Sequence, residues 1–284
     1  MGYFLIQIAR ICETTIISVG AHLTTTVTGI FFLGIPAMVL IGSYGMVIPQ
    51  RYGFSLSFAL LISFLLSFLV SLIFVALYFK LSKDSFTVFT LSSLLAVQAI
   101  IKSWDSLTGG VLGISGISRP SFLQSLSMII FLDIFLAIMI LIMEYIILKT
   151  WLGRCLLGMK ENNYLVESLQ ISAKKLGAIV IIISGLLASL QGILAVWRIQ
   201  FLDTSFGSVL VLVQMLTIAI IAAKPKVSWL LASTVFIVLL PEVFRFLNLP
   251  STMIGYLRNI LYSFVLILVL LKINKKHVSH KRFV

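Results

Sequence analysis

From Phe54 to Phe79 the chain carries no charged side chain, and neither do the stretches Leu176 to Trp197 and Ser205 to Ala223. A helix needs about 20 mainly apolar residues to cross the hydrocarbon core, where each backbone polar group must find its partner within the segment. Runs of this length, separated by short polar gaps, commit the chain to an all-α, polytopic transmembrane bundle. Leu126 to Leu148 reads as a further span although it contains Asp133 and Glu144. Val227 to about Leu247 and Tyr256 to Ile273 carry ionisable residues near their ends, and Phe86 to Ile101 is short enough to be tilted, broken or buried. Tyr3 to Val19 includes Arg10 and Glu13, and Ala21 to Ile48 is interrupted by Gly29, Gly34, Pro36, Gly42 and Gly45. Such broken helices are tolerated at membrane depth where protein or a cavity surrounds them. The expectation is about nine spans, within a range of eight to ten, forming one domain over residues 1–284.

The charge pattern excludes several functions. Only 11% of the residues are charged, yet the net charge is +12. A nucleic-acid binder gathers its basic residues on one soluble face with aromatics among them. Here they fall in short gaps and in the tail, so no nucleic-acid partner is expected and the surrounding partner is membrane lipid. No GxxxxGK[ST] loop is present, and His22, His277 and His280 lack metal-ligand spacing, so neither nucleotide hydrolysis nor metal chemistry is expected. No cofactor is implied. Cys12 and Cys155 suit neither a disulfide framework nor a paired-thiol metal site. No basic residue precedes Arg10 and no small-residue cleavage site follows, so the first helix is expected to be retained.

Short loops rich in lysine and arginine stay in the cytoplasm. Between Lys149 and Lys175 stand Lys149, Arg154, Lys160, Lys174 and Lys175 against Glu161 and Glu167; the tail from Lys272 to Val284 carries basic residues and no acid. Four spans between these regions place both on the cytoplasmic side, together with the Lys224-Pro225-Lys226 and Lys80 to Lys83 turns. The same parity puts Asp105 to Pro120, "DSLTGGVLGISGISRP", on the outside. Glycine disfavours helix and proline ends it, so this segment reads as a shaped outer loop or gate built on Thr108, Gly109, Gly110, Gly113, Gly116 and Pro120. Among the charges at membrane depth, Arg10 with Glu13 and Glu242 with Arg245 are spaced three apart and read as structural ion pairs. Asp133 has no local partner and is open to two readings, a proton-coupling acid or a satisfied polar residue between helices. The stretch Trp151 to Ile171 reads as a short cytoplasmic helix whose Leu156, Leu157, Met159, Leu165, Val166 and Leu169 offer apolar contacts to a partner's groove.

Several segments together resemble the permease subunits of branched-chain amino acid ABC importers. "SLTGGVLGISGISRP" (Ser106 to Pro120) is similar to that family's Leu-Thr-Gly-Gly loop, and "TGIFFLGIPAMVLIGSY" (Thr28 to Tyr44) to its early glycine pattern. "GRCLLGMKEN" (Gly153 to Asn162) resembles its cytoplasmic coupling segment; "SGLLASLQG" (Ser184 to Gly192) and "LLPEVFR" (Leu239 to Arg245) resemble later signatures. The chain departs from the pattern at "IAAKPKVSW" (Ile221 to Trp229), where the family has a glycine-rich turn, and at Ser118, Gln170, Ser189 and Gln191.

The resemblance implies a divergent permease subunit in a bacterial or archaeal plasma membrane. It implies ABC ATPase subunits gripping Gly153, Arg154, Lys160, Glu161, Asn162 and Leu165, within a coupling segment over 149–175. It also implies a second permease subunit, homologous or identical, and an extracytoplasmic solute-binding protein at the outer loop. The glycine-broken stretch supplies the pathway candidates Thr28, Gly29, Gly34, Pro36 and Gly42. The implied cargo is branched-chain or other small amino acids, with urea or short amides as alternatives. A proton-driven secondary transporter using Asp133 or Glu144 is the competing class.

Overall fold

The computed structural model describes residues 2–120, 123–161, 166–242, 257, 260–268 and 271. Its helices are α1 (Gly2–Ala21), α2 (Ile35–Arg51), α3 (Leu56–Lys80), α4 (Lys83–Ser103), the single turn α5 (Asp105–Thr108), α6 (Leu126–Lys149), α7 (Trp151–Glu161), α8 (Ala173–Ile199), α9 (Val209–Ala222) and α10 (Val227–Leu239). Among the described residues, five apolar stretches are long enough to cross a membrane: Tyr3–Val27, α3, α4, α6 and α8. Helices α9 and α10 are shorter and apolar. The chain is an all-helical polytopic bundle. Arg245, Asn162, Leu165 and the tail 272–284 lie outside the described residues.

Helices α2 and α8 form the centre, and α1 and α3 pack around them. Their contact is made by small residues, which let backbones approach where no hydrophobic force between helices operates. A Cβ on Gly42 of α2 would come within 2.6 Å of the Ser189 backbone on α8. Helix α3 turns one narrow face inward, Ala59, Ser63, Ser67 and Ser71 at intervals of one helical turn. Ser63 donates to the Gly42 carbonyl at 2.6 Å and Ser67 to the Ser189 hydroxyl at 2.9 Å. The rest of α3 presents Leu61, Leu65, Phe68 and Leu72 to the surroundings.

The break in the second stretch lies elsewhere than the glycine count suggests. Helix α1 runs into a fully buried π-helical turn, His22–Val27, and the chain then leaves helix before restarting at Ile35. Thr24, Thr25 and Thr28 each bond the carbonyl four residues back, at 3.0, 2.5 and 2.7 Å, a pattern that loosens helices. Pro36 sits in the first turn of α2, where a missing N–H costs nothing. Gly42 and Gly45 sit within α2 as packing residues and do not break it. Helix α4 is also longer than Phe86 to Ile101, because Ser82 caps it by accepting from the Ser85 N–H.

The elements sort to two ends. At one lie the Lys80 to Lys83 turn, α7, Lys174 and the Lys224 to Lys226 turn; Lys174 reaches the Phe79 carbonyl at 3.2 Å. At the other lie Arg51, the glycine loop and the end of α8, where strand β1 (Ile114–Ser115) pairs antiparallel with β2 (Phe201–Leu202). The amino-terminal half of α1 belongs to this loop end, since Glu13 meets Arg198 there.

Candidate functional site: a polar cavity and a buttressed coupling helix

At the loop end, Arg198 of α8 donates from Nε and Nη2 to the two carboxylate oxygens of Glu13 on α1, at 2.6 and 2.8 Å. This two-pronged bond is the geometry that guanidinium and carboxylate favour. The expected pairing of Arg10 with Glu13 does not form: the fork of Arg198 occupies the Glu13 carboxylate, and Arg10 instead faces Glu242 at 3.4 Å. Glu242 also accepts from Gln7 at 2.6 Å and from the Tyr3 hydroxyl. Its proposed partner Arg245 lies outside the described residues.

Beside this pair opens a cavity of about 220 Å³ between α1, α8 and α9, lined by Arg10, Glu13, Thr14, Gln191, Arg198, Ser205 and Gln214 among apolar residues. The carboxamide oxygen of Gln191 is buried without a hydrogen-bond partner among the described residues. Polar groups converging on one cavity inside an apolar bundle are the usual mark of a solute site. Reasoning from the sequence missed this cavity. Arg198 was not singled out there, although Gln191, one of the departures from the family pattern, was a usable signal.

The glycine loop is joined to the same place. Arg119 donates from Nε to the Trp197 carbonyl and from Nη2 to the Arg198 carbonyl, both at 2.8 Å, closing the last turn of α8. Gly109 and Gly110 hold φ of +73° and +57°; a Cβ on Gly110 would strike the Asp105 carboxylate. Thr108 is buried and donates to the Ile101 and Trp104 carbonyls at 2.6 and 2.7 Å. Gly109, Gly113 and Gly116 line a pocket of about 360 Å³ at the loop end with Gln50, Arg51 and Asp105, whereas buried Pro120 is not among its lining residues.

At the lysine-rich end, α7 packs by Gly153, Cys155, Leu156 and Met159 and leaves Arg154, Lys160 and Glu161 exposed. Of the apolar residues expected to enter a partner's groove, Leu156, Met159 and Val166 are buried within this chain, Leu157 is half-buried, Leu169 is exposed and Leu165 lies outside the described residues, so half of that face is spent internally. The surface left is charged, with Trp151 and Leu152 beside it. Lys160 lies along Gly29 and donates to the Thr26 carbonyl in the π-helical turn at 2.9 Å. That turn is held from three other sides. Thr26 donates to the Ala219 carbonyl at 2.7 Å; His22 meets Glu144 of α6 at 2.6 Å through Nδ1 and the Lys224 carbonyl at 3.2 Å through Nε2. A carbonyl only accepts, so Nε2 carries a hydrogen, and one proton is held between Nδ1 and the Glu144 oxygen. Both side chains are fully buried. Ala223, within the stretch that departs from the family's glycine-rich turn, takes φ +41°.

None of Thr28, Gly29, Gly34, Pro36 and Gly42 lines the polar cavity or the loop-end pocket. Gly34 instead packs against Phe32 and Phe74, and Thr28 is buried in the π-helical region. Asp133 is fully buried, and neither of its carboxyl oxygens has a hydrogen-bond partner among the described residues.

Residues 4–270 match the family described as "Branched-chain amino acid transport system / permease component". The chain belongs to that family: it is a multi-pass membrane permease component of an ABC transporter, in which ATP hydrolysis resides in separate subunits. No curated protein and no solved structure matches the chain.

Proposed function

We propose that this permease component imports branched-chain or other small amino acids, delivered from outside by a solute-binding protein and driven by two ATPase subunits. A second permease subunit, homologous or identical, completes the membrane part. The binding protein docks on the glycine loop, and the ATPases grip α7 through Arg154, Lys160 and Glu161. Lys160 then passes their movement into the π-helical turn and so into α1, whose other half borders the polar cavity.

The observation that supports this reading is the separation of the two devices in a chain of this family. The charged surface of α7 lies at the lysine-rich end, and the loop, its pocket and the cavity lie at the other. Proton-driven transport by this chain alone has less support, since Glu144 is sealed against His22 and Asp133 does not line the cavity.

The test is reconstitution with a second permease subunit, ATPase subunits and a solute-binding protein from the same organism. Leucine uptake into proteoliposomes is expected to need both ATP and the binding protein. Uptake by the chain alone under a proton gradient would overturn the importer reading.

A further inference from the structure

We infer that the Glu13–Arg198 pair is a selectivity latch that a zwitterionic solute opens by exchange, its carboxylate taking the Arg198 guanidinium and its ammonium group taking Glu13. The inference rests on the importer reading and names how that importer recognises its cargo.

The chemistry of the cavity carries it. Glu13 and Arg198 line the cavity and face each other across two short bonds, at 2.6 and 2.8 Å, so neither charge is open to a solute while the pair is closed. Around them the side chains of Thr14 and Gln214 make no hydrogen bond to a described residue, and the Gln191 oxygen is unpartnered, so the remaining lining offers neutral donors and acceptors. The space, about 220 Å³, equals roughly seven water molecules at about 30 Å³ each, which suits a solute the size of a small amino acid.

Exchange is selective because a largely buried charge tolerates a change of partner far better than the loss of one. A zwitterion brings both charges, so Glu13 and Arg198 stay paired throughout. A carboxylate alone would strand Glu13, an amine alone would strand Arg198, and a neutral amide has no charge with which to open the pair. Of the other charged residues, Arg10 on the cavity wall faces Glu242, which holds Gln7 and Tyr3 as well, and Asp133 lies outside the lining but within electrostatic reach of both Glu13 and Arg198. The latch is also wired to the outside. Arg119 of the glycine loop holds the Trp197 and Arg198 carbonyls at 2.8 Å, so a shift of the loop bears directly on the backbone that carries the guanidinium.

The test uses the assembled permease and ATPase complex in lipid nanodiscs without binding protein. Four probes of one shape are compared: L-leucine, 3-methylbutylamine, 4-methylpentanoate and 4-methylpentanamide. Leucine is expected to raise the thermal midpoint and stimulate ATP turnover, with the other three at least about tenfold weaker, the scale of one lost charge-assisted contact. Single variants strand a charge and put folding at risk, so the decisive protein is the double Glu13→Gln, Arg198→Gln, which leaves nothing unpaired. It should assemble, lose the leucine response and bind the amide at least as well as leucine. A double variant with unchanged probe ranking would reduce the pair to a structural tie. A wild-type complex that imports leucine with its binding protein yet answers to the amine, acid or amide as strongly as to leucine, or to none of the four, would also overturn the latch. In each of these outcomes ATP-driven import itself stands, so the two readings fail separately.

Discussion

Two buried acid–base pairs lie at opposite ends of this bundle, and their settings differ. Glu13 with Arg198 borders a polar cavity and retains slight exposure, 4% and 12% for the two side chains. His22 with Glu144 is fully enclosed, and the second imidazole nitrogen is tied to the Lys224 carbonyl. The first pair can meet water or a solute; the second can meet neither. The proposed import cycle calls for an exchangeable contact where cargo enters and a stiff one where an engine pulls, and the two pairs are the candidates for these roles in that order.

This contrast is best broken from its stiff side. His22→Ala leaves the Glu144 carboxyl in a dry site and unties the Lys224 turn, so a loss of about 3–5 kcal/mol is expected, read from thermal unfolding of the purified protein. Arg198→Ala strands Glu13 beside a cavity that water can enter, so its loss should be smaller, about 1–3 kcal/mol, while leucine uptake falls away. If Arg198→Ala destabilises more than His22→Ala, the distinction between open and sealed pairs is wrong. Gly110→Val places a branched side chain at φ +57° against Asp105 and should cost about 1–3 kcal/mol of local strain, lowering uptake more than the yield of folded protein. Normal transport by that variant would reduce the loop to a connector. The smallest stability change belongs to Lys160→Ala, about 1 kcal/mol or less for one hydrogen bond at an exposed side chain. Its expected signature is functional, more ATP hydrolysed per leucine imported; an unchanged ratio would remove Lys160 from the transmission route.

How far the sequence carried this picture depended on whether a property was local. Long uncharged runs required helices, and the serines at 63, 67 and 71 share one face by helical period alone, so α3 was legible with its inner side. The glycines at 109, 110, 113 and 116 all take positive φ, so the loop was legible as a shaped segment from Gly109 onward, whereas Asp105–Thr108 at its start form the helical turn α5. The pairing of charges was not. A spacing of three puts Arg10 and Glu13 on one helix face, but Glu13 is claimed by a residue 185 positions away, and no periodicity reports which helices meet. The π-helical turn escaped for a related reason. Thr24 and Thr25 satisfy their hydroxyls on their own backbone, yet the turn's position is fixed by Lys160, Ala219, Glu144 and Lys224 from four separate segments. The polar cavity likewise exists only once α1, α8 and α9 are assembled.

The account stands on the two ends facing opposite sides of the membrane, and cysteine accessibility tests this most directly. Cys155 is buried and makes a poor reporter, so Cys12 and Cys155 would be replaced and single cysteines placed by Ser115→Cys and Glu161→Cys, both at exposed positions. With a membrane-impermeant maleimide on intact cells, Ser115→Cys should label at once and Glu161→Cys only after permeabilisation. Labelling of both from the same side would contradict the account.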